Sequence, residues 1–209
     1  YDAVAFVSDW IASSIVTSPD PDGGFRGSAA DDVLIGSSGD DLFESSSGAN
    51  VYVGSSGLNN TLSYQNAPTS VDVDLAKGIG SYHAPSAARK ASVAMATLGS
   101  NDKFSDIQAV LGTAFGDYIT GDGAANRLSG MAGVDFLTGG LGNDMLDGGV
   151  NVDTAAVSGN RSAYTVTQTS VGKFDVVGPD GTDSLSNIEY LQFADQTIRL
   201  LPGTGITVD

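Results

Sequence analysis

From Gly112 onward the chain is written in rows of nine. Apolar Ile119, Leu128, Leu137 and Leu146 recur at one place in each row, and two positions before them stand Asp117, Asn126, Asp135 and Asp144. Each row opens on glycine (Gly112, Gly121, Gly130, Gly139, Gly148), and the last carries Asp153 and Ala155 at the corresponding places. An earlier block repeats the pattern from Gly27 and Gly36. Its sixth positions read Asp32, Asp41, Asn50 and Asn59, and its eighth Leu34, Phe43, Tyr52 and Thr61. A period of nine fits neither a helix nor one long strand. It predicts short strands with one inward apolar residue each, separated by glycine-rich turns. Nine does not divide the distance between Gly27 and Gly112, so the spacing predicts two separate arrays.

The flanking segments carry other periods. Val4, Val7, Ile11 and Ile15 recur at helical spacing with Trp10 beside them, ahead of Ser18-Pro19-Asp20-Pro21, which predicts a short N-terminal helix and linker over 1–24. The first array then covers 25–63 and a connecting segment 64–111. That segment reads as strand at Val71–Leu75 and Asp106–Val110, with an inserted helix Ala87–Leu98 capped by Ser86 and closed by Gly99. The second array covers 112–157. Residues 158–209 form a C-terminal β cap, in which Tyr164–Thr169 and Lys173–Val177 read as an antiparallel hairpin. Outward positions of the first array place Val33, Ile35, Val51 and Val53 on one sheet, an aliphatic face that needs a cover from this chain or from a protein partner.

Charge narrows the partners. Nine Lys and Arg stand against 25 Asp and Glu, a net charge of −16, which excludes a general binder of nucleic acid or anionic membrane. All but Glu44 and Glu189 of the acids are aspartate, so a short carboxylate stem is wanted for its geometry. Cysteine is absent, which removes disulfides and thiolate sites, and no stretch approaches the ~18 apolar residues of a transmembrane segment. The start at Tyr1-Asp2-Ala3, with neither Met nor a basic leader, reads as a mature product or the C-terminal part of something longer.

Glycine at the first, second and fourth places of a row permits backbone angles that turn several carbonyls toward one point, and aspartate at the sixth adds a hard anionic oxygen. Carbonyl and carboxylate oxygens without His or Cys suit Ca²⁺, which takes ~6–8 oxygens, better than the smaller octahedral Mg²⁺. The expected ligand rows are therefore those of Gly112/Asp117, Gly121/Asn126, Gly130/Asp135, Gly139/Asp144, Gly148/Asp153, Gly27/Asp32 and Gly36/Asp41, with Asn50 and Asn59.

These rows match G-G-x-G-x-D-x-U-x, and the chain resembles the repeats-in-toxin (RTX) family of secreted, haemolysin-type calcium-binding proteins of bacteria. The resemblance implies a mainly all-β fold, a parallel β-roll in which two rows make one turn and several calcium ions, about five, lie between stacked turns. It would group Asp117, Asp135 and Asp153 on one flank and Asn126 with Asp144 on the other. In the first array it would stack Asp32 on Asn50 and Asp41 on Asn59, with weaker binding where asparagine replaces the charge. The tail from Asp183-Ser184-Leu185 to Phe193 resembles the uncleaved export region of type I secretion substrates, which implies the type I secretion machinery as partner and an extracellular or cell-surface location.

A catalytic site is not expected. His83 is the one histidine, the cations are scattered, and the aspartates are committed to the turns. The leading expectation is a non-catalytic secreted module that folds on extracellular Ca²⁺. The alternatives are an adhesion, surface-layer or accessory subunit docking through Val33, Ile35, Val51 and Val53, and a C-terminal appendage of an upstream secreted enzyme.

Overall fold

A computed structural model describes residues 14–17, 24–82, 101–201 and 205–208. Within them the chain runs through short strands: β1 (Ser14–Val16), β2 (Gly24–Arg26), β3 (Asp32–Ile35), β4 (Leu42–Glu44), β5 (Val51–Val53), β6 (Thr61–Ser63) and β7 (Val71–Asp74). Then come β8 (Ile79–Tyr82), β9 (Asn101–Ser105), β10 (Ala109–Leu111), β11 (Tyr118–Thr120), β12 (Arg127–Ser129), β13 (Phe136–Thr138), β14 (Met145–Asp147) and β15 (Thr154–Ala156). The C-terminal part contributes β16 (Thr165–Ser170), β17 (Lys173–Gly178), β18 (Gly181–Ser186), β19 (Tyr190–Gln192), β20 (Thr197–Leu201) and β21 (Gly205–Val208).

Successive rows alternate between two facing sheets, so residues eighteen apart become neighbours: Phe136 pairs with Tyr118 and Thr154, and Met145 with Arg127, all in parallel. The result is a parallel β-roll. One sheet runs β1-β3-β5-β9-β8-β7-β11-β13-β15-β19-β20-β21, the other β16-β17-β18-β14-β12-β10-β6-β4-β2. The central residue of each three-residue strand points inward because its two neighbours must point out. Leu34, Tyr52, Phe104, Val73, Ile119, Leu137, Ala155 and Leu191 line one wall, and Phe25, Phe43, Leu62, Val110, Leu128, Leu146 and Leu185 the other, all buried. Each such leucine, valine or isoleucine contributes about 1.5–3 kcal/mol by burial.

The two blocks are one roll. β10 pairs in parallel with β6 on one side and β12 on the other, and β7 pairs with β11. Main-chain hydrogen bonds are blind to the spacing between blocks, so any row presenting a free edge receives the next one. The two arrays, separate in sequence, are thereby joined into a single roll. The break in period is absorbed on the other sheet, where β9 pairs in parallel with β5, and β8 lies antiparallel between β9 and β7. Gly80 in β8 faces Tyr64, whose hydroxyl occupies the space a Cβ would take. That hydroxyl donates to buried Asp102 Oδ2 at 3.0 Å.

Three expectations change. Residues 14–16 are strand β1, paired with β3, so the helix drawn through Ile15 does not extend there; its earlier part and the helix Ala87–Leu98 lie outside the described residues. Among those residues the only helical element is a single 3₁₀ turn, Arg161–Ala163. The aliphatic face is not open: Val33, Val51 and Val53 are buried and Ile35 is half-buried, which leaves it without the free surface a docking partner needs. The C-terminal hairpin is present as β16 and β17, and a third antiparallel strand, β18, joins it to the roll through β14.

Candidate functional site

The sixth residue of each row, Asn59 excepted, is buried, and in most rows its side chain holds the backbone of the row one turn away. Asp135 Oδ1 accepts the Asp117 N–H at 2.7 Å, and Asp153 Oδ1 accepts that of Asp135 at 2.8 Å. On the other flank Asp144 Oδ1 accepts the Asn126 N–H at 2.8 Å. The first block does the same with Asn50 beneath Asp32 at 3.1 Å. One oxygen of Asn50, Asp117, Asp135, Asp144 and Asp153 is thus spent on a ladder running along the roll.

The second oxygen separates two kinds of turn. In the rows opening at Gly27, Gly36 and Gly112, the N–H of the second residue donates to it: Ser28 to Asp32 at 2.5 Å, Ser37 to Asp41 at 3.0 Å, Thr113 to Asp117 at 2.6 Å. The hydroxyls of Ser28, Ser37 and Thr113 bind the same carboxylates. In the row of Gly121, Asp122 N–H donates to Asn126 Oδ1 at 2.8 Å, while buried Asn126 Nδ2 has no partner. The rows opening at Gly130, Gly139 and Gly148 differ. Their second residues, Met131, Gly140 and Gly149, have φ of 73°, 102° and 93°, and their fourth, Gly133, Gly142 and Asn151, have 133°, 117° and 95°. In these rows Asp135, Asp144 and Asp153 each keep a buried Oδ2 without any hydrogen bond.

A buried anionic oxygen without a partner is costly. Burial drives the Asp135 carboxyl up to about 8, with the charges of Asp117 and Asp153 adding and the ladder hydrogen bond opposing. Burial likewise lifts Asp117, Asp153 and Asp183 to about 6 and raises Asp144. The opening glycines leave no room between backbone and carboxylate: a Cβ on Gly130 or Gly139 would collide with Oδ2 of Asp135 or Asp144. Among the described residues no three acidic or imidazole side chains converge on a point. The donors these rows could offer an ion are therefore single carboxylates and main-chain carbonyls. That donor set is all hard oxygen, and it fits Ca²⁺.

The expected flanks are found: Asp117, Asp135 and Asp153 stack together, Asn126 stacks with Asp144, and Asp32 with Asn50. Asn59 is a correction. The fourth row of the first block is one residue longer, so Asn60 is the buried sixth residue, its Oδ1 accepting the Asp41 N–H at 3.0 Å, and Leu62 replaces Thr61 inside. Asn59 is exposed and donates to Asp40. Four ladder members were missed. Asp102 accepts the Asn50 N–H, Gln108 that of Asn60, Asp183 that of Asp144 and Glu189 that of Asp153. Each stands two residues before an inward apolar side chain (Phe104, Val110, Leu185, Leu191), and the row of Asp183 also keeps glycine at its first and fourth places, Gly178 and Gly181.

Residues 26–60 and 111–155 match the family described as "RTX calcium-binding nonapeptide repeat (4 copies)". No curated protein matches the chain. No helix among the described residues is long and apolar enough to cross a membrane.

Proposed function

We propose that this chain, a calcium-binding module of RTX nonapeptide repeats, is a non-catalytic secreted protein whose roll closes on meeting extracellular calcium. The observation that carries the reading is the set of partnerless buried oxygens on Asp135, Asp144 and Asp153. Without a cation these rows press ionised carboxylates into low dielectric. Calcium supplies positive charge to those oxygens and to the turn carbonyls, and it binds only where the rows are stacked.

The chain's own groups do the rest. The ladder N–H groups hold each Oδ1 and so aim Oδ2 into its turn. The glycines let the backbone close around it, and the inward leucines fix the spacing between rows. An ion at about ten times its Kd stabilises the folded state by about 1.4 kcal/mol per site. Three such sites reach about 4 kcal/mol, close to the total stability of a marginal domain. Extracellular oxygen-ligand sites typically work at ~10⁻⁴–10⁻³ M, so millimolar calcium outside a bacterium switches the fold on where low calcium inside leaves it open. Commitment of the aspartates to ladders and turns supports a binding rather than a catalytic role. Export by type I secretion, with the C-terminal strands as signal, agrees with a chain that stays unfolded until it is outside.

Circular dichroism titrated with Ca²⁺, Mg²⁺ and chelator tests the switch. β signal that rises with millimolar Ca²⁺ and not with Mg²⁺ is expected. A chain equally folded in chelator contradicts it.

A further inference from the structure

The first block holds, in place of a cation, parts of its own side chains. Asn50 Nδ2 lies 3.2 Å from Ser46 O, 3.4 Å from Ser47 O, 3.5 Å from Gly48 O and 3.3 Å from Asp102 Oδ1. Asn60 Nδ2 lies 2.7 Å from Gly54 O, 2.9 Å from Asp106 O and 3.5 Å from Gly57 O. Three main-chain carbonyls therefore converge on one nitrogen in each turn, at hydrogen-bond distances rather than the ~2.3–2.6 Å of calcium–oxygen bonds. The orientation of both amides follows from the network. Their Oδ1 atoms already accept the N–H groups of Asp32 and Asp41, and a flipped amide would set donor against donor. The other two rows are satisfied by serine. Ser28 and Ser37 close both oxygens of Asp32 and Asp41 through backbone and hydroxyl donors, with the Asp41 N–H ladder supplied by Asn60. The partnerless carboxylate oxygens of the rows of Gly130, Gly139 and Gly148 have no counterpart in the rows from Gly27 to Asn60, where the buried atoms left without a partner are the neutral hydroxyls of Ser45, Ser46 and Tyr52.

We propose that the first block is a calcium-independent template in which the amides of Asn50 and Asn60 occupy the cation positions. Calcium binding, and the folding it drives, is confined to the rows of Asp135, Asp144 and Asp153. The template presents the free edge of β6, on which β10 and then the calcium-dependent rows stack. This rests on the calcium reading above and adds to it a division of labour. It also assigns a conversion rule. Replacing either asparagine by aspartate puts an oxygen where the amide nitrogen stood, against the same carbonyls, and the turn then needs a cation.

Amide hydrogen exchange on the full chain, in chelator and in Ca²⁺, tests it with wild type, Asn50→Asp, Asn60→Asp and Asn50→Ala. In wild-type protein without calcium, the amides of Tyr52, Val53 and Thr61 stay protected while those of Phe136, Met145 and Thr154 exchange; Ca²⁺ protects both sets. Each aspartate variant loses about tenfold or more of first-block protection in chelator, the effect of one unsatisfied buried polar group, and regains it in Ca²⁺. Asn50→Ala loses it without calcium rescue. First-block amides exchanging in chelator as fast as those of the second block, or an Asn50→Asp variant as protected there as wild type, overturn the proposal. If an aspartate variant fails to fold even in calcium, the wild-type comparison decides alone. Second-block amides protected equally with and without calcium would instead refute the switch, a different outcome from failure of the template.

Discussion

At the residue scale, the same amino acid does different work according to the φ of its row's second position. Gly140 sits at φ 102°, and a Cβ there would meet the Asp122 carbonyl. Gly140→Ala is expected to cost about 1–3 kcal/mol, read as a lowered Tm in saturating calcium. Gly123 has nothing within 4 Å of an added Cβ, so Gly123→Ala should stay within about 0.5 kcal/mol of wild type. Equal effects at the two positions would show that φ does not set the turn type. Asp135→Ala removes both a ladder acceptor and a partnerless oxygen. We expect calcium affinity in isothermal titration to fall by about tenfold or more, the scale set even by outer-shell partners of a metal site. An unchanged binding isotherm would exclude Asp135 as a ligand.

At the element scale, each strand has only three residues, and one inward side chain carries most of its contribution. Leu137 is fully buried in β13, so Leu137→Ala should destabilise by about 2–5 kcal/mol in chemical denaturation. Outward side chains add little; Tyr118 and Phe136 stack across β11 and β13 with ring centres 5.6 Å apart. The ladders make the rows sensitive to protons when calcium is absent. Asp135 titrates near 8, and Asp117, Asp153 and Asp183 near 6, against an ordinary value of 3.8, because burial disfavours their charged forms. An acid with a raised folded pKa binds its proton more tightly when folded. Its contribution is complete below about 3.8 and disappears as pH climbs through 6 to 8. In calcium-free buffer the second block should therefore melt at a higher temperature at pH 5 than at pH 8. Calcium should reverse the order, since the deprotonated carboxylate is the ligand. A higher melting temperature at pH 8 without calcium would show that these carboxylates are not desolvated as described.

At the scale of the whole molecule, a parallel roll is nearly one-dimensional: each row touches the rows one turn above and below, so folding propagates from any block that is already formed. Continuity through β6 and β10 makes the first block such a start, and antiparallel pairing among β16, β17 and β18 on one sheet and β19, β20 and β21 on the other closes the far end. Much of this was legible from residue order. The period of nine predicted short strands with one inward side chain each, from Leu34 to Leu146, and the resemblance to the repeat family implied the roll and the stacking of Asp117, Asp135 and Asp153 on one flank. Gln108 and Glu189 were hidden because their rows lack the opening glycine, Asp183 because its row, with Gly178 and Gly181 in place, is parted from the array by the hairpin strand β16 and most of β17, and Asn59 was taken for Asn60 because one inserted residue shifts every later position in its row.

Local order determined what each nine-residue row can make. Covalent spacing alone places an oxygen two residues before an inward side chain and glycine where the backbone must turn. Which rows meet was decided only in three dimensions. Pairing between distant strands uses main-chain groups common to all residues, so nothing in the letters announces that β10 lies on β6 or that Asp102 lies under Asn50. The same holds for the asparagines: an amide offers a donor at one end and an acceptor at the other, and only the neighbours brought up by the fold decide that its nitrogen, and not an ion, faces the carbonyls.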